Sequence, residues 1–341
     1  MHKTSKNKVF DIIKGVDALS EEVSPTEWII ETLLPENFQT ILAGTTGSNK
    51  SIYAMQEGMS IANDEKEFLG FRIHKKGLNV LYADTEVGRT ELIRRYQRIA
   101  RSFTNWSGED RFNMLSKSGS FADIWDELYY HVKCFEPDVL YIDCLYNSSS
   151  EKDISKNQNI AKFTDRITDL KAKFGLTIRI IHHFNKGGSE FGLNMDRMSG
   201  ASALQNWVEH LILMDRTNLH SIRLLKIVKA RGVDFPNDYY GIQWNIDEFK
   251  LSMIGVVKNW KRFIIDEHKK KSWQQALNKI AEEFSTKDWV TLVSDELCLV
   301  KERQAKEWLR EIELVKMIEK AKHGTWRKTK LKFVEDIYES E

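Results

Sequence analysis

The segment Gly44-Thr45-Thr46-Gly47-Ser48-Asn49-Lys50-Ser51 constrains the fold most. It departs at one position, Asn49, from the phosphate-binding pattern G-x-x-x-x-G-K-[ST]. The apolar run Phe38 to Ala43 before it reads as a strand, and Ile52 to Ala62 after it reads as a helix, the strand–loop–helix setting the pattern requires. Such a loop aims backbone N–H groups and a helix N-terminus at a triphosphate, with Lys50 as counter-charge and the Ser51 hydroxyl as a magnesium ligand. Asn is the non-glycine residue that best tolerates positive φ. The loop is therefore expected to close around Asn49 at a strain of about 1 kcal/mol. Taken alone, the segment also fits a polar turn without a ligand; residues farther along decide between the two.

From Trp28 onward, short apolar runs alternate with helical spacing, the signature of a layered α/β domain with a mostly parallel sheet. Strands are predicted at Phe38 to Ala43, Leu78 to Ala83, Phe112 to Leu115, Val139 to Ile142 and Thr177 to His182. An antiparallel series follows at Leu211 to Met214, Ser221 to Lys229, Tyr239 to Asn245 and Phe249 to Met253. The domain is thus expected to span residues 25–255, after a polar arm at 1–24. A basic linker is expected at 256–272, and a winged helix at 273–341 built from helices at Trp273 to Phe284, Trp289 to Leu299 and Lys301 to Ile312. A hairpin around Lys322-His323-Gly324 completes that unit.

The net charge of +1 rules out a global field for nucleic acid, so any such contact must be local. Cys134, Cys144 and Cys298 lack metal or disulfide spacing, and no run approaches the ~18 apolar residues of a membrane span. A cytoplasmic protein without a membrane partner is expected.

A P-loop nucleotidase needs a carboxylate at the end of an apolar strand to hold the magnesium shell, and Pro137 to Asp143 supplies Asp143. Hydrolysis also needs a group to orient or deprotonate water. Leu81 to Glu86 places acids just past another strand, with Glu86 preferred as general base and Asp84 its nearest competitor. His182 and His183 end the next predicted strand and point to opposite faces, which disfavours a shared metal. One ring suits a γ-phosphate sensor, and a structural histidine is the plain alternative. The glycine-bearing stretch from Gly187 to Gly200 follows at the edge where open α/β sheets bind ligands.

In order, these segments resemble the RepA-type hexameric replicative helicases among the RecA-like ATPases. The likeness rests on Glu27 to Ile30, the phosphate loop, Phe68 to Phe71, Val80 to Glu86 and the strand ending in Asp143. It continues through His182-His183 with Lys186, Ser199 to Leu204, and Lys226 to Gly232. It covers roughly residues 25–255. The resemblance implies ATP and Mg2+ as cofactors, Lys50 and Ser51 on phosphates and metal, Glu86 as catalytic carboxylate, Asp143 as Walker B acid and His183 as sensor. Lys229 and Arg231 would be cationic fingers reaching a neighbouring subunit's nucleotide. Subunits would form a homo-hexameric ring around single-stranded DNA, with Lys186 and Arg197 as candidate contacts in the channel loop. Asn49, and Met198 where the family carries arginine, depart from the family pattern.

The tail adds Lys320, Lys322, Arg327 and Lys328 around Trp326, a basic hairpin suited to phosphates and stacking. In the helix before it, Lys301, Arg303, Lys306 and Arg310 are diluted by Glu302, Glu307 and Glu311, so a protein contact competes with duplex DNA. The expected function is an ATP-dependent DNA helicase or translocase of plasmid, phage or mobile-element replication. The rival that Asn49 favours is a nucleotide-gated, non-hydrolysing DNA-binding regulator or initiator. A small-molecule kinase fits less well, because no acceptor pocket is evident.

Overall fold

The computed structural model describes residues 13–116, 125–143, 157–183, 192–195, 201–258, 260–263, 267–314 and 317–329. The first element among the described residues is the exposed helix α1 (Gly15–Ser20), followed by β1 (Trp28–Ile30), β2 (Leu34–Pro35) and β3 (Gln39–Gly44). Helix α2 (Lys50–Ala62) is followed by the short pair β4 (Glu67–Phe68) and β5 (Phe71–Arg72). Next come β6 (Val80–Asp84), α3 (Arg89–Arg101), β7 (Phe112–Ser116), α4 (Trp125–Phe135) and β8 (Val139–Asp143). The parallel series closes with α5 (Asn157–Phe174), β9 (Thr177–His183), α6 (Ala201–Trp207) and β10 (His210–Arg216). Strands β11 (Ile222–Ala230), β12 (Tyr239–Asn245) and β13 (Lys250–Val256) follow as a meander.

Among the described residues, nine strands form one sheet in the order β13-β12-β11-β10-β3-β9-β8-β6-β7. Every pair from β10 to β7 is parallel, and the pairs from β10 to β13 are antiparallel. Strands β3, β6 and β8 are buried at every residue, which explains why they read as unbroken apolar runs. Alternate residues feed two cores. Leu42, Tyr82, Tyr141 and Ile181 pack on the side of α2 and α3, while Ile41, Leu81, Leu140 and Ile180 pack on the side of α4 and α5. The parallel strands therefore all end at one edge, where Gly44 lies opposite His183 and Asp84 opposite Asp143.

The C-terminal unit runs α7 (Glu267–Lys279), β14 (Glu283–Ser285), α8 (Thr286–Val290), α9 (Glu302–Leu314), β15 (Ile318–Lys322) and β16 (Thr325–Lys328). Its three strands pair antiparallel in the order β14-β16-β15. Here the structure corrects three expectations. The segment 256–272, expected as a linker, is helical from Glu267, where Lys269 pairs with Glu311 and lies over the Trp273 ring. Phe284 belongs to a strand rather than to the end of a helix. The next helix starts at Thr286 instead of Trp289, because Ser285 and Asp288 form a capping box, and it continues as a π-helix over Thr291–Glu296. Residues 1–12 of the expected arm, and 330–341, lie outside the described residues.

Candidate nucleotide site

The loop after β3 is held by contacts that start at its first residue. A side chain at Gly44 would place Cβ 1.8 Å from the Met214 carbonyl oxygen, so only glycine lets β3 lie this close to the end of β10. Gly47 takes φ 77, and Asn49 takes φ 68 with ψ 25, the left-handed conformation expected at the motif's missing glycine. Ser48 Oγ donates to the Thr45 carbonyl at 2.8 Å, and the Thr45 hydroxyl donates to Asp215 at the end of β10. Lys50 is buried at the first position of α2, and its ammonium donates to the Thr45 carbonyl at 2.7 Å and to Ser48 Oγ at 3.4 Å. The cation thus lies folded over its own loop.

Beside the loop stand the two acids that end β6 and β8. Asp143 is buried; its Oδ2 accepts the Tyr82 hydroxyl at 2.8 Å, and its Oδ1 has no hydrogen-bond partner. Burial raises its pKa, opposed by the hydroxyls of Ser51 and Tyr82. Asp84 Oδ1 accepts from the N–H groups of Glu86 and Val87 at 2.9 and 2.8 Å, while its Oδ2 is buried and unpartnered. Burial first, and the Asp143 charge second, push the Asp84 carboxyl up to about 7. The Thr85 amide donates to the Asp143 carbonyl at 2.6 Å and binds the two strand ends together.

Glu86 lies past that turn and is exposed, with His183 Nε2 at 3.9 Å from its Oε2. The imidazole, with Lys50 and Arg95 farther off, holds the Glu86 carboxyl below the usual carboxylate range, so it stays ionised and able to accept a proton. Asp84, in contrast, is buried, and its carboxyl is held above the usual carboxylate range.

A magnesium ion fits this donor set. Asp143 offers a buried oxygen lacking any other partner, next to the Ser51 hydroxyl. Among the described residues no group of three or more His, Cys, Asp or Glu is placed to hold a metal alone. Mg2+ usually takes one or two protein oxygens and completes its octahedron with phosphates and water.

Under the site lies a buried ion pair that the sequence did not reveal. Arg179 on β9 meets Glu57 on α2, with NH2 to Oε1 at 3.0 Å and Nε to Oε2 at 3.2 Å, and both side chains are fully buried. The Tyr141 hydroxyl donates to Glu57 at 2.9 Å, and Arg179 also donates to the Leu33 carbonyl at 2.7 Å. The pair therefore joins the phosphate-loop helix to the strands that end in His183 and Asp143. Arg216 and Arg223, directly opposite each other at the loop end of β10 and β11, also escaped the sequence reading.

The remaining expected residues are not in this cluster. Because β11 runs against β10, Ala230 pairs with His210 at the opposite edge of the sheet, and Lys229 and Arg231 lie there. They donate to the carbonyls of Gln205 and Asn206 at 2.7 and 3.0 Å. Lys186, Arg197 and Met198 lie outside the described residues. In the C-terminal unit, Arg327 faces Glu283 at 3.3 Å and Glu319 at 3.7 Å, and Lys328 donates to the Ile280 carbonyl at 2.7 Å. Trp326 is a correction. It is buried in the unit's core, its indole donating to Thr286 Oγ1 at 3.0 Å, and offers no exposed stacking face. Lys322 is exposed.

A family model described as an AAA domain matches residues 10–189, more than half of the chain. The chain belongs to the AAA domain family. With the loop and sheet order above, this makes it a P-loop ATPase with an α/β fold built on a large, mostly parallel sheet. No curated relative aligns with it at a significant level. Among solved structures, it is similar to a KaiC-like protein from the hyperthermophilic archaeon Pyrococcus horikoshii OT3, at 16% identity and a TM-score of 0.47. That similarity covers 66% of this chain and 93% of the other. No helix among the described residues is long and apolar enough to cross a membrane.

Proposed function

We propose that the chain is an ATP-hydrolysing motor that assembles into a ring, a homo-hexamer, and acts on DNA in the replication of a plasmid, phage or other mobile element. The observation that carries the hydrolytic part is Glu86 beside His183, at the sheet edge that also presents Lys50, Ser51 and Asp143. Glu86 would take a proton from water as its oxygen attacks the γ-phosphorus; the bond to the β,γ-bridging oxygen breaks and ADP leaves. Lys50 would turn from the Thr45 carbonyl to the phosphates, and Ser51 and Asp143 would hold Mg2+. A magnesium ion held there would neutralise phosphate charge.

The ring reading is supported by the placement of two cations. Lys229 and Arg231 lie at the opposite edge of their own sheet, so as cationic fingers they would serve a neighbour's nucleotide. Exposed Val16 and Leu19 on α1 also support association between copies. DNA is supported by the resemblance to replicative helicases and by the C-terminal unit. Its order of helix, strand, two helices and two strands fits a winged helix, with Lys320 and Lys322 exposed on the hairpin. Phosphate release with and without single-stranded DNA tests the proposal. Wild type is expected to turn over many times and faster with DNA, whereas Glu86→Gln binds ATP but loses about 10²–10⁴ in rate. Hydrolysis that Glu86→Gln leaves intact would remove the mechanism, and hydrolysis indifferent to DNA would remove the motor.

A further inference from the structure

Asn49 stands where the phosphate-loop pattern has glycine, and its left-handed backbone is one that an L-residue adopts only with support. Its side chain makes no hydrogen bond to the helix it precedes. Instead Asn49 Oδ1 accepts from Arg223 Nε at 2.9 Å, a contact between residues 174 apart in the chain. Arg223 is itself fixed. It is 5% exposed, and its NH1 donates to the carbonyls of His220 and Ile222 at 2.7 and 3.0 Å. The groups facing it are Arg216, opposite it on β10, which opposes its charge, and Asp215, which favours it. An arginine buried beside another arginine is costly to keep, and besides two local carbonyls it donates to the side chain of the residue that breaks the motif.

We propose that Arg223 is a positioning residue that stands in for the missing glycine, holding Asn49 in the left-handed conformation so that the loop keeps its phosphate-binding shape. This rests on the nucleotide reading above and explains how the chain binds ATP with a substituted motif. It also ties the loop to the antiparallel extension of the sheet, because Arg223 lies on β11.

Two measurements on Arg223→Gln, Asn49→Gly and the double variant test it: Mg-ATP affinity by calorimetry, and the melting temperature of the nucleotide-free protein. Arg223→Gln is expected to weaken ATP on the order of tenfold and to lower the melting temperature. In the Asn49→Gly background, where glycine reaches positive φ unaided, Arg223→Gln should weaken ATP by no more than about threefold. Adding Asn49→Gly to Arg223→Gln should therefore rescue both readouts, which loss of a general packing contact would not allow. Equal weakening by Arg223→Gln in both backgrounds would overturn the proposal and assign Arg223 to the nucleotide itself. No effect of Arg223→Gln would overturn it too. A wild type that takes up no ATP would sink the nucleotide reading, while the melting temperatures would still decide the role of Arg223.

Discussion

Asp84 is where protonation and fold meet most directly. Its carboxyl is pushed up to about 7, against an ordinary value of 3.8, by burial and by Asp143. Between those values the folded protein keeps a proton that the unfolded chain releases. The stability Asp84 contributes is thus complete below about pH 4 and is lost as pH rises through about 7. Asp84→Asn keeps an acceptor for the Glu86 and Val87 amides and removes the titration. Urea unfolding of the nucleotide-free protein at pH 5 and pH 8 should show a smaller loss of stability in the variant than in wild type. An unchanged difference would mean that Asp84 titrates normally. At this scale the positions of the loop, Asp143 and Glu86 at one sheet edge were legible, because each sits at a fixed offset from an apolar strand. Arg223 gave no signal, since a lone arginine in an alternating strand reads as solvent-facing until β11 is folded beside the loop.

At the scale of elements, the Glu57–Arg179 pair fixes how α2 sits on β8 and β9. Burial pushes the Glu57 carboxyl up, opposed by Arg179 and by the Tyr141 hydroxyl. Replacing one member leaves the other charged and dry. Arg179→Met or Glu57→Gln should each cost about 3–5 kcal/mol in denaturant unfolding, with a cooperative transition retained. A cost near that of a surface ion pair, about 1 kcal/mol or less, would show that water reaches the pair. The strands themselves were legible because parallel strands buried on both faces leave unbroken apolar runs. The pair was not, since its members are 122 residues apart and each looks like an ordinary charge on its own element. The lysines after Glu267 misled for a similar reason: a charge run suggests a linker, yet Lys269 spans Glu311 and Trp273 from within a helix. Trp326 was read as a surface ring because its neighbours are basic, but strand alternation turns it inward.

For the whole molecule, the account depends on a division of labour between copies. In the proposed ring one chain would supply the loop, the metal ligands and the base, while the Lys229 and Arg231 edge would face a neighbour's nucleotide. Arg231→Ala should slow hydrolysis by about 10³ while leaving ATP affinity within a few-fold of wild type. Mixing it with Lys50→Ala should restore part of the turnover that neither variant has alone, since some boundaries then join an intact loop to an intact finger. Mixtures as inactive as their components would place Lys229 and Arg231 outside the reaction. The sheet order was legible only as alternation in the sequence; which edge each cation occupies needed the antiparallel return of β11.

Titration calorimetry of Mg-ATP into wild type and Lys50→Ala tests the central claim most directly. The account predicts saturable binding at one site per chain in wild type, and at least about tenfold weaker binding once the loop ammonium is removed. Wild type that shows no nucleotide uptake, or uptake that Lys50→Ala leaves unchanged, would contradict it.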